Sequence, residues 1–391
     1  ELATSPILLT LLCLVFEMSG SFPANRSELY KEGLDVLLKK WDVKRNIERD
    51  QVYKQLSLKR KEDLLSQIAI DAFEPGNYFF KQKEVEREIN DYIRNLPGAN
   101  TAEDALQTDS EAVLKSIEAQ HGLLIKRARG IYSFSHLTFH EYFTARKLVA
   151  NAKSNIFATR LLPHLTEKRW REVFLLTVGM VDSADDLLLA MKQQIDALVA
   201  KDENILEILT WVESKRHSVN VSYKPAAIRT FYLDLYRDLT HALYRDLIRA
   251  SALDHDHYHD LDLDLGHDFA LDLAIALDLD LALDLDLDLG PDLKRALQSL
   301  KDQLPSTENK KLFKQWWKVN VTTWTEELQS VMIQHRDIGH DWQLSPEQKA
   351  LVQQYYDANK FLVDCLNSDC YVSREVRQQI EAELLLPNSS L

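Results

Sequence analysis

The sequence predicts a mostly α-helical protein with one small β-hairpin in its first half. Three observations carry that expectation. Among 391 residues there are only ten Gly and ten Pro, while Leu, Ala, Glu, Lys and Gln abound, so helix formers dominate and breakers are few. Hydrophobic residues make up 45% of the chain and recur at helical spacing, enough to bury the cores of two or three domains and to exclude disorder for most of it. One place breaks that rhythm: Leu123 to Arg127 and Ile131 to Ser135 are short apolar runs on either side of an Ala128 to Gly130 turn, the pattern of a hairpin.

Leu2 to Met18 reads as one helix. Its run from Pro6 to Phe16 has the apolarity of a secretory leader, but Glu1 and no basic residue precede it and no small-residue cleavage pair follows closely. A buried helix is therefore expected. Glu1 already lies inside an amphipathic pattern, so sequence upstream of it is expected too. A second helix opens after Asn25 or Ser27, with Leu29, Leu34, Leu37, Leu38 and Trp41 at helical period. Ser57 to Phe73 forms another, stopped by Glu74-Pro75-Gly76. Asn77 to Phe80 reads as a short strand, Lys83 to Arg94 and Asp109 to Gln120 as helices, and the hairpin follows directly. Helix, helix, then wing is the order of a winged helix.

A further helix starts within Phe134 to Ala150, and only helices are expected beyond it. These are Arg169 to Val181, Ala184 to Val199 with Ser183 and Asp186 at capping-box spacing, Ile205 to Lys215, and Pro225 to Ala250. The late ones are Lys310 to Val319, Thr323 to His335, Pro346 to Cys365 and Arg374 to Leu385. Ser345-Pro346-Glu347-Gln348 joins an N-cap serine, a proline at the first helical position and a glutamine at the third. The expected domains are 1–24, 25–153 (winged helix), 154–250 (helical), 251–290 (low complexity) and 291–391 (helical).

Net charge is −14, and twelve aspartates with no Lys or Arg between 251 and 290 account for nearly all of it. In that tract the Leu/Asp alternation fits a half-buried strand, whereas aspartate is a poor strand former and both flanks are helical. The two readings are close; helix, broken near Gly266, is favoured. No run approaches the length of a membrane span, and three cysteines (Cys13, Cys365, Cys370) form no disulfide framework, which points to a reducing cytoplasm.

Chemistry is conspicuous by absence. There is no GxxxxGK[ST] phosphate loop, and no HExxH, CxxC, GxSxG or GxGxxG, so an independent catalytic centre is not expected. Asp254, His255, Asp256, His257, His259 and Asp260 are metal-ligand types, but consecutive residues do not converge on one ion, and a solvated loop is the expectation. Cys365 and Cys370 read as buried thiols at a helix end. Residues 26 to 147 hold 21 Lys and Arg against 20 Asp and Glu, and the candidate recognition helix is itself acidic, which disfavours nucleic acid as a partner.

At this point two segments become familiar. FSHLTFHEYFTARKLVA (134–150) resembles the end of the winged-helix domain of NACHT-type signal-transducing NTPases of the STAND class. ELATSPILLTLLCLVFE (1–17) resembles the last helix of the helical domain that follows their nucleotide-binding core. SELYKEGLDVLLKKWD, GLLIKRARGIYSFSH, WREVFLLTVGMVDSADDLLLAM and the late YYDANKFLVDCLNSDCYVSREVRQQIEAELLLP are similar to the same family, especially in its cyanobacterial form.

The resemblance implies a nucleotide-dependent switch. It implies that Pro6 packs on the adenine of a bound nucleotide and that His136 contacts the β-phosphate of ADP, a role an imidazole can fill by donating to, or pairing with, a phosphate oxygen. ATP or ADP, with magnesium, would be held by the upstream NTPase core and not by this chain alone. The implied partners are that core, further copies on activation and a protein or ligand trigger, with no membrane; the implied process is defence. Two expectations compete: a helical interaction scaffold without a nucleotide role, and a winged-helix DNA-binding regulator.

Overall fold

A computed structural model describes residues 6–23, 26–44, 56–97, 102–152, 155–218, most of 224–233, 291–305, 310–337, 340 and 342–387. The Leu/Asp tract, the His/Asp cluster at 254–260 and most of the expected helix from Pro225 to Ala250 lie outside the described residues. The chain divides into two compact units: Glu1–Leu198 with Gln353–Ile380, and Val199–Val352 with Glu381–Leu391.

In the first unit the described elements are α1 (Pro6–Ser19), α2 (Arg26–Lys44), α3 (Leu58–Phe73), β1 (Phe80–Lys81), α4 (Gln82–Arg94), α5 (Glu103–His121), β2 (Leu124–Ala128), β3 (Ile131–Phe134), α6 (Leu137–Ala150), α7 (Arg171–Met180) and most of α8 (Asp185–Val199). A π turn at Phe157–Leu161 and 3₁₀ turns at Leu162–His164 and Lys168–Trp170 connect α6 to α7. The strands form one antiparallel sheet in the order β1-β3-β2. Helix–strand–helix–helix–hairpin is the winged-helix arrangement that the hairpin pattern predicts.

Local chemistry explains most boundaries. Ser57 Oγ accepts from the Arg60 N–H at 3.4 Å and starts α3. At the other end Gly76 takes φ +80°, a left-handed conformation open to glycine, while Arg169 donates to the carbonyls of Phe73 (2.6 Å) and Glu74 (2.8 Å). α1 lies so close over α2 that a Cβ at Gly33 would stand 2.7 Å from Leu11 Cδ2. The core of the winged helix is built by Leu64, Leu65, Ile68 and Phe73 of α3, Val85, Ile89 and Ile93 of α4, Val113, Leu114 and Ile117 of α5, and Phe143 of α6, all buried.

Several expected boundaries are corrected. The strand expected at Asn77 to Phe80 is confined to Phe80–Lys81, because Asn77 N–H still donates back to Ala72 O (2.8 Å) and only Phe80 and Lys81 pair with β3. α5 begins at Glu103 rather than Asp109, since its solvated first turn shows no apolar period although Leu106 is buried. β3 ends at Phe134, one residue short of the expected Ser135, and α6 starts at Leu137, inside the segment Phe134 to Ala150 where a helix is expected. Before α8, Ser183 Oγ is 3.5 Å from the Asp185 N–H, and Ala184 O receives the first helical bond from Leu188, so the serine does not occupy the cap.

The second unit holds α9 (Glu203–Ser218), α10 (Pro291–Asp302), α11 (Lys310–Arg336) and the start of α12 (Pro346–Leu366); α13 (Arg374–Glu383) ends in it. α11 replaces the two helices expected at Lys310 to Val319 and Thr323 to His335. It runs unbroken through its β-branched stretch, where buried Trp324 donates to Leu300 O (3.0 Å) on α10. Packing overrides local propensity there. The start of α12 forms as the sequence predicts: Gln348 N–H donates to Ser345 Oγ (3.2 Å) and Ser345 N–H to Gln348 Oε1 (3.0 Å). Buried Arg229 donates to Glu213 Oε2 (2.6 Å) and to the carbonyls of Ala382 (2.8 Å) and Leu384 (2.7 Å). Burial pushes the Glu213 carboxyl up, but bonds from Arg216 and Arg229 outweigh it and hold the group at about 2.

Candidate functional site

The site begins with the hairpin. Gly130, at φ +72°, lets the chain reverse, and its carbonyl accepts from Gln82 N–H at 2.9 Å, tying the turn to α4. Between Lys126 and Ala128 the register shifts, so Arg127 is the bulged residue. The bulge aims its guanidinium along β3: Nε donates to Ser133 Oγ (2.9 Å) and Nη2 to Ser135 O (3.2 Å). Ser135 N–H in turn donates to Leu123 O (2.8 Å). The corner between β3 and α6 is thus held on both sides. Nothing in the sequence marks Arg127 for this task, because a bulge leaves no signature in the hydrophobic pattern.

His136 stands at that corner. Its backbone is extended (φ −135°, ψ 144°) and its carbonyl receives the first bonds of α6, from Phe139 (3.2 Å) and His140 (3.4 Å). The imidazole makes no capping bond, is exposed, and touches only the edge of the Phe139 ring, 5.9 Å between centroids, among the described residues. No acidic residue lies in the first turn of α6. An exposed ring donor therefore sits beside helix N–H groups that have no intrahelical acceptor, at the positive end of the helix dipole. That combination accepts an anionic oxygen.

His140, one turn later, has the opposite fate. It is 1% exposed, with Nε2 2.9 Å from Ala69 O, and is packed against Phe134 (4.6 Å), Phe73 (5.1 Å) and Tyr78 (6.0 Å). Since a carbonyl only accepts, Nε2 carries the proton. Burial pulls the ring down to about 4 against the contrary pull of the Ala69 bond, so it is neutral and structural. Phe139, Tyr142 and Phe143 are core as well.

Pro6 is the first residue of α1, a position that suits proline because the missing N–H would be unsatisfied there anyway. Its side chain lies outside the described residues. α1 packs on α2, and both belong with His136 to the first compact unit. Among the described residues no group of three or more His, Cys, Asp or Glu is arranged to hold a metal, and no helix is long and apolar enough to cross a membrane.

These elements define the class: a winged-helix domain that presents a solvent-facing histidine at the start of the helix after its wing. Residues 26–148 match the family model for the winged helix-turn-helix domain C-terminal to NACHT, and residues 293–387 match that for NACHT C-terminal helical domain 2. The chain belongs to the NACHT family and spans domains of the region C-terminal to the NACHT module, a regulatory or sensor part of such a protein. No curated protein and no solved structure gives a significant match.

Proposed function

We propose that this region is the gating arm of a nucleotide-dependent switch. ADP, held with magnesium by a NACHT module outside this chain, meets the ring of Pro6 at its adenine and the imidazole of His136 at its β-phosphate. The winged helix is thereby held closed. Exchange for ATP ends the His136 contact, and the winged helix and helical units rotate and assemble with further copies in response to a trigger. The setting is cytoplasmic defence against invading genetic elements.

The observation that carries this reading is the exposure of His136, free of any capping bond, at the positive end of α6. The two NACHT-region matches support it. Magnitudes set its limits. Moving a switch from roughly 1:99 to 99:1 takes about 5.5 kcal/mol of discrimination between states. One hydrogen bond to a charged group supplies about 1.5–3 kcal/mol, so His136 biases the switch and a bound trigger must add the rest. The recognition position of the winged helix is filled by α5, whose Glu103, Asp104, Asp109, Glu111 and Glu118 face a single Lys115 in charge, which weighs against a duplex DNA ligand.

In the intact protein with its NACHT module, His136→Ala is expected to weaken ADP binding about tenfold, leave ATP binding nearly unchanged and raise the assembled fraction. Nucleotide titration with light scattering measures both. Unchanged ADP affinity together with an unchanged oligomer distribution would refute the switch and leave a scaffold.

A further inference from the structure

On the second unit, Glu203, Leu206, Glu207, Thr210, Trp211 and Trp342 line an open trough of about 580 Å³. Spacing of three and four residues places the α9 members on one face of the helix. Trp342 comes from the segment before α12 and closes the other wall, its ring 6.4 Å from that of Trp211 at an angle of 59°. Both indoles are held. Trp211 Nε1 donates to Asp337 O (2.9 Å) and Oδ2 (3.2 Å), and its ring meets Tyr232 (6.1 Å) and His340 (6.5 Å) edge-on. Trp342 lies 5.8 Å from His340, which is bonded to Asp337 at 2.6 Å. Asp337 and Gln343 bracket this segment at φ +52° and +45°, left-handed conformations that non-glycine residues keep only where their surroundings enforce them.

The charge of the trough has one sign. Glu203 and Glu207 are exposed and lie on its lining, and among the described residues no basic side chain does. Lys215, further along α9, is turned to Asp337 at 2.9 Å, and Arg216 to Glu213 at 2.6 Å. Two angled indoles beside two carboxylates form the surroundings that attract an organic cation: indole faces attract cationic heads, and a planar guanidinium both stacks on them and reaches carboxylates with paired donors. The same carboxylates repel phosphate, which excludes nucleic acid and anionic lipid. A site for a small metabolite encloses most of its ligand, whereas this trough lies open along its length and admits a chain from the side.

We infer that the trough between α9 and Trp342 binds an arginine-bearing peptide segment of a partner protein, the guanidinium lying over the indole faces that Trp211 and Trp342 turn to the trough and neighbouring positive charges facing Glu203 and Glu207. Only the further step of naming this peptide a trigger rests on the switch described above. Binding is independent of nucleotide, so a failed peptide titration leaves the role of His136 standing, and the converse holds.

The experiment is a fluorescence-anisotropy titration of the full chain with a labelled arginine-rich peptide, its citrulline counterpart and free argininamide as competitor. The acidic 251–290 tract attracts basic peptides without specificity, so the groove variants decide the outcome. Trp342→Ala and the pair Glu203→Gln with Glu207→Gln are expected each to weaken the arginine peptide about tenfold. The pair lies on exposed positions and keeps the fold testable if the tryptophan variant does not fold. The citrulline peptide is expected to bind no better than background. Equal binding of arginine and citrulline peptides, or arginine-dependent binding that both groove variants leave intact, overturns the assignment. Argininamide binding as tightly as the peptide overturns the claim of a peptide partner.

Discussion

Phe73→Ala is expected to remove about 3–5 kcal/mol from the first unit. Phe73 is fully buried at the last residue of α3, where its ring meets Tyr78 (6.0 Å), His140 (5.1 Å) and Trp170 (5.0 Å), all edge-on. The Arg169 guanidinium covers it at 5.6 Å while donating to its carbonyl. Four stiff groups from three segments thus surround the ring, and stiff neighbours collapse poorly into a cavity, which puts this site at the costly end of large-to-small substitutions. A domain is stable by only about 5–15 kcal/mol, so the loss is a large share. With two units in the chain a single melting curve is a poor readout. Hydrogen exchange is better: amides of α3 and α6 should lose protection together, by a factor of a hundred or more. A loss confined to the end of α3 would show that the aromatic cluster does not tie these helices together.

That cluster also decides where His136 points, because α6 is seated on α3 through Phe73, His140 and the bonds of Arg146 to Glu62 (2.8 Å) and Asp63 (2.9 Å). How much of this could be read from sequence differs from element to element. The ends of α3 and the start of α12 are written in side chains that act locally, Ser57, Pro75-Gly76 and the Ser345 to Gln348 box, and they form as predicted. α11 does not break between Val319 and Thr323, where two separate helices are expected; Trp324 is bonded there to Leu300 on another helix, a contact no local rule contains.

The two histidines of FSHLTFHEY show the same limit at the site. Four residues apart, they would share one helix face and one environment if both were helical. Only His140 is; His136 lies just outside α6 with extended backbone, and that single difference in φ and ψ sends one ring into the core and the other to solvent. The corner is fixed by Arg127, whose bulge is invisible in the sequence. The trough at Trp211 and Trp342 is illegible in the sequence for a related reason: its walls come from segments far apart in the chain, and neither wall has a motif of its own.

Acid should expose the cost of sealing His140. In the native state burial depresses its pKa to about 4, while an unfolded chain binds the proton with the ordinary affinity of about 6.5. Between those values the unfolded state carries the extra proton, so the stability that the neutral ring contributes is complete above about pH 6.5 and is lost as the pH falls toward 4. The difference corresponds to about 3 kcal/mol. Carboxylates titrate at the lower end of that window, and a comparison with His140→Gln separates them. Glutamine keeps a donor for Ala69 O but takes up no proton, so the variant should be less stable than the parent near neutrality, since it packs less well between Phe73 and Phe134, yet should lose about 3 kcal/mol less between pH 6.5 and 4. Denaturant titrations at a series of pH values, followed through the amides of α3 and α6, supply both slopes. Parallel slopes would mean that His140 is protonated in the fold at little cost, and with that the claim that α6 is held down by a neutral, buried imidazole would have to be given up.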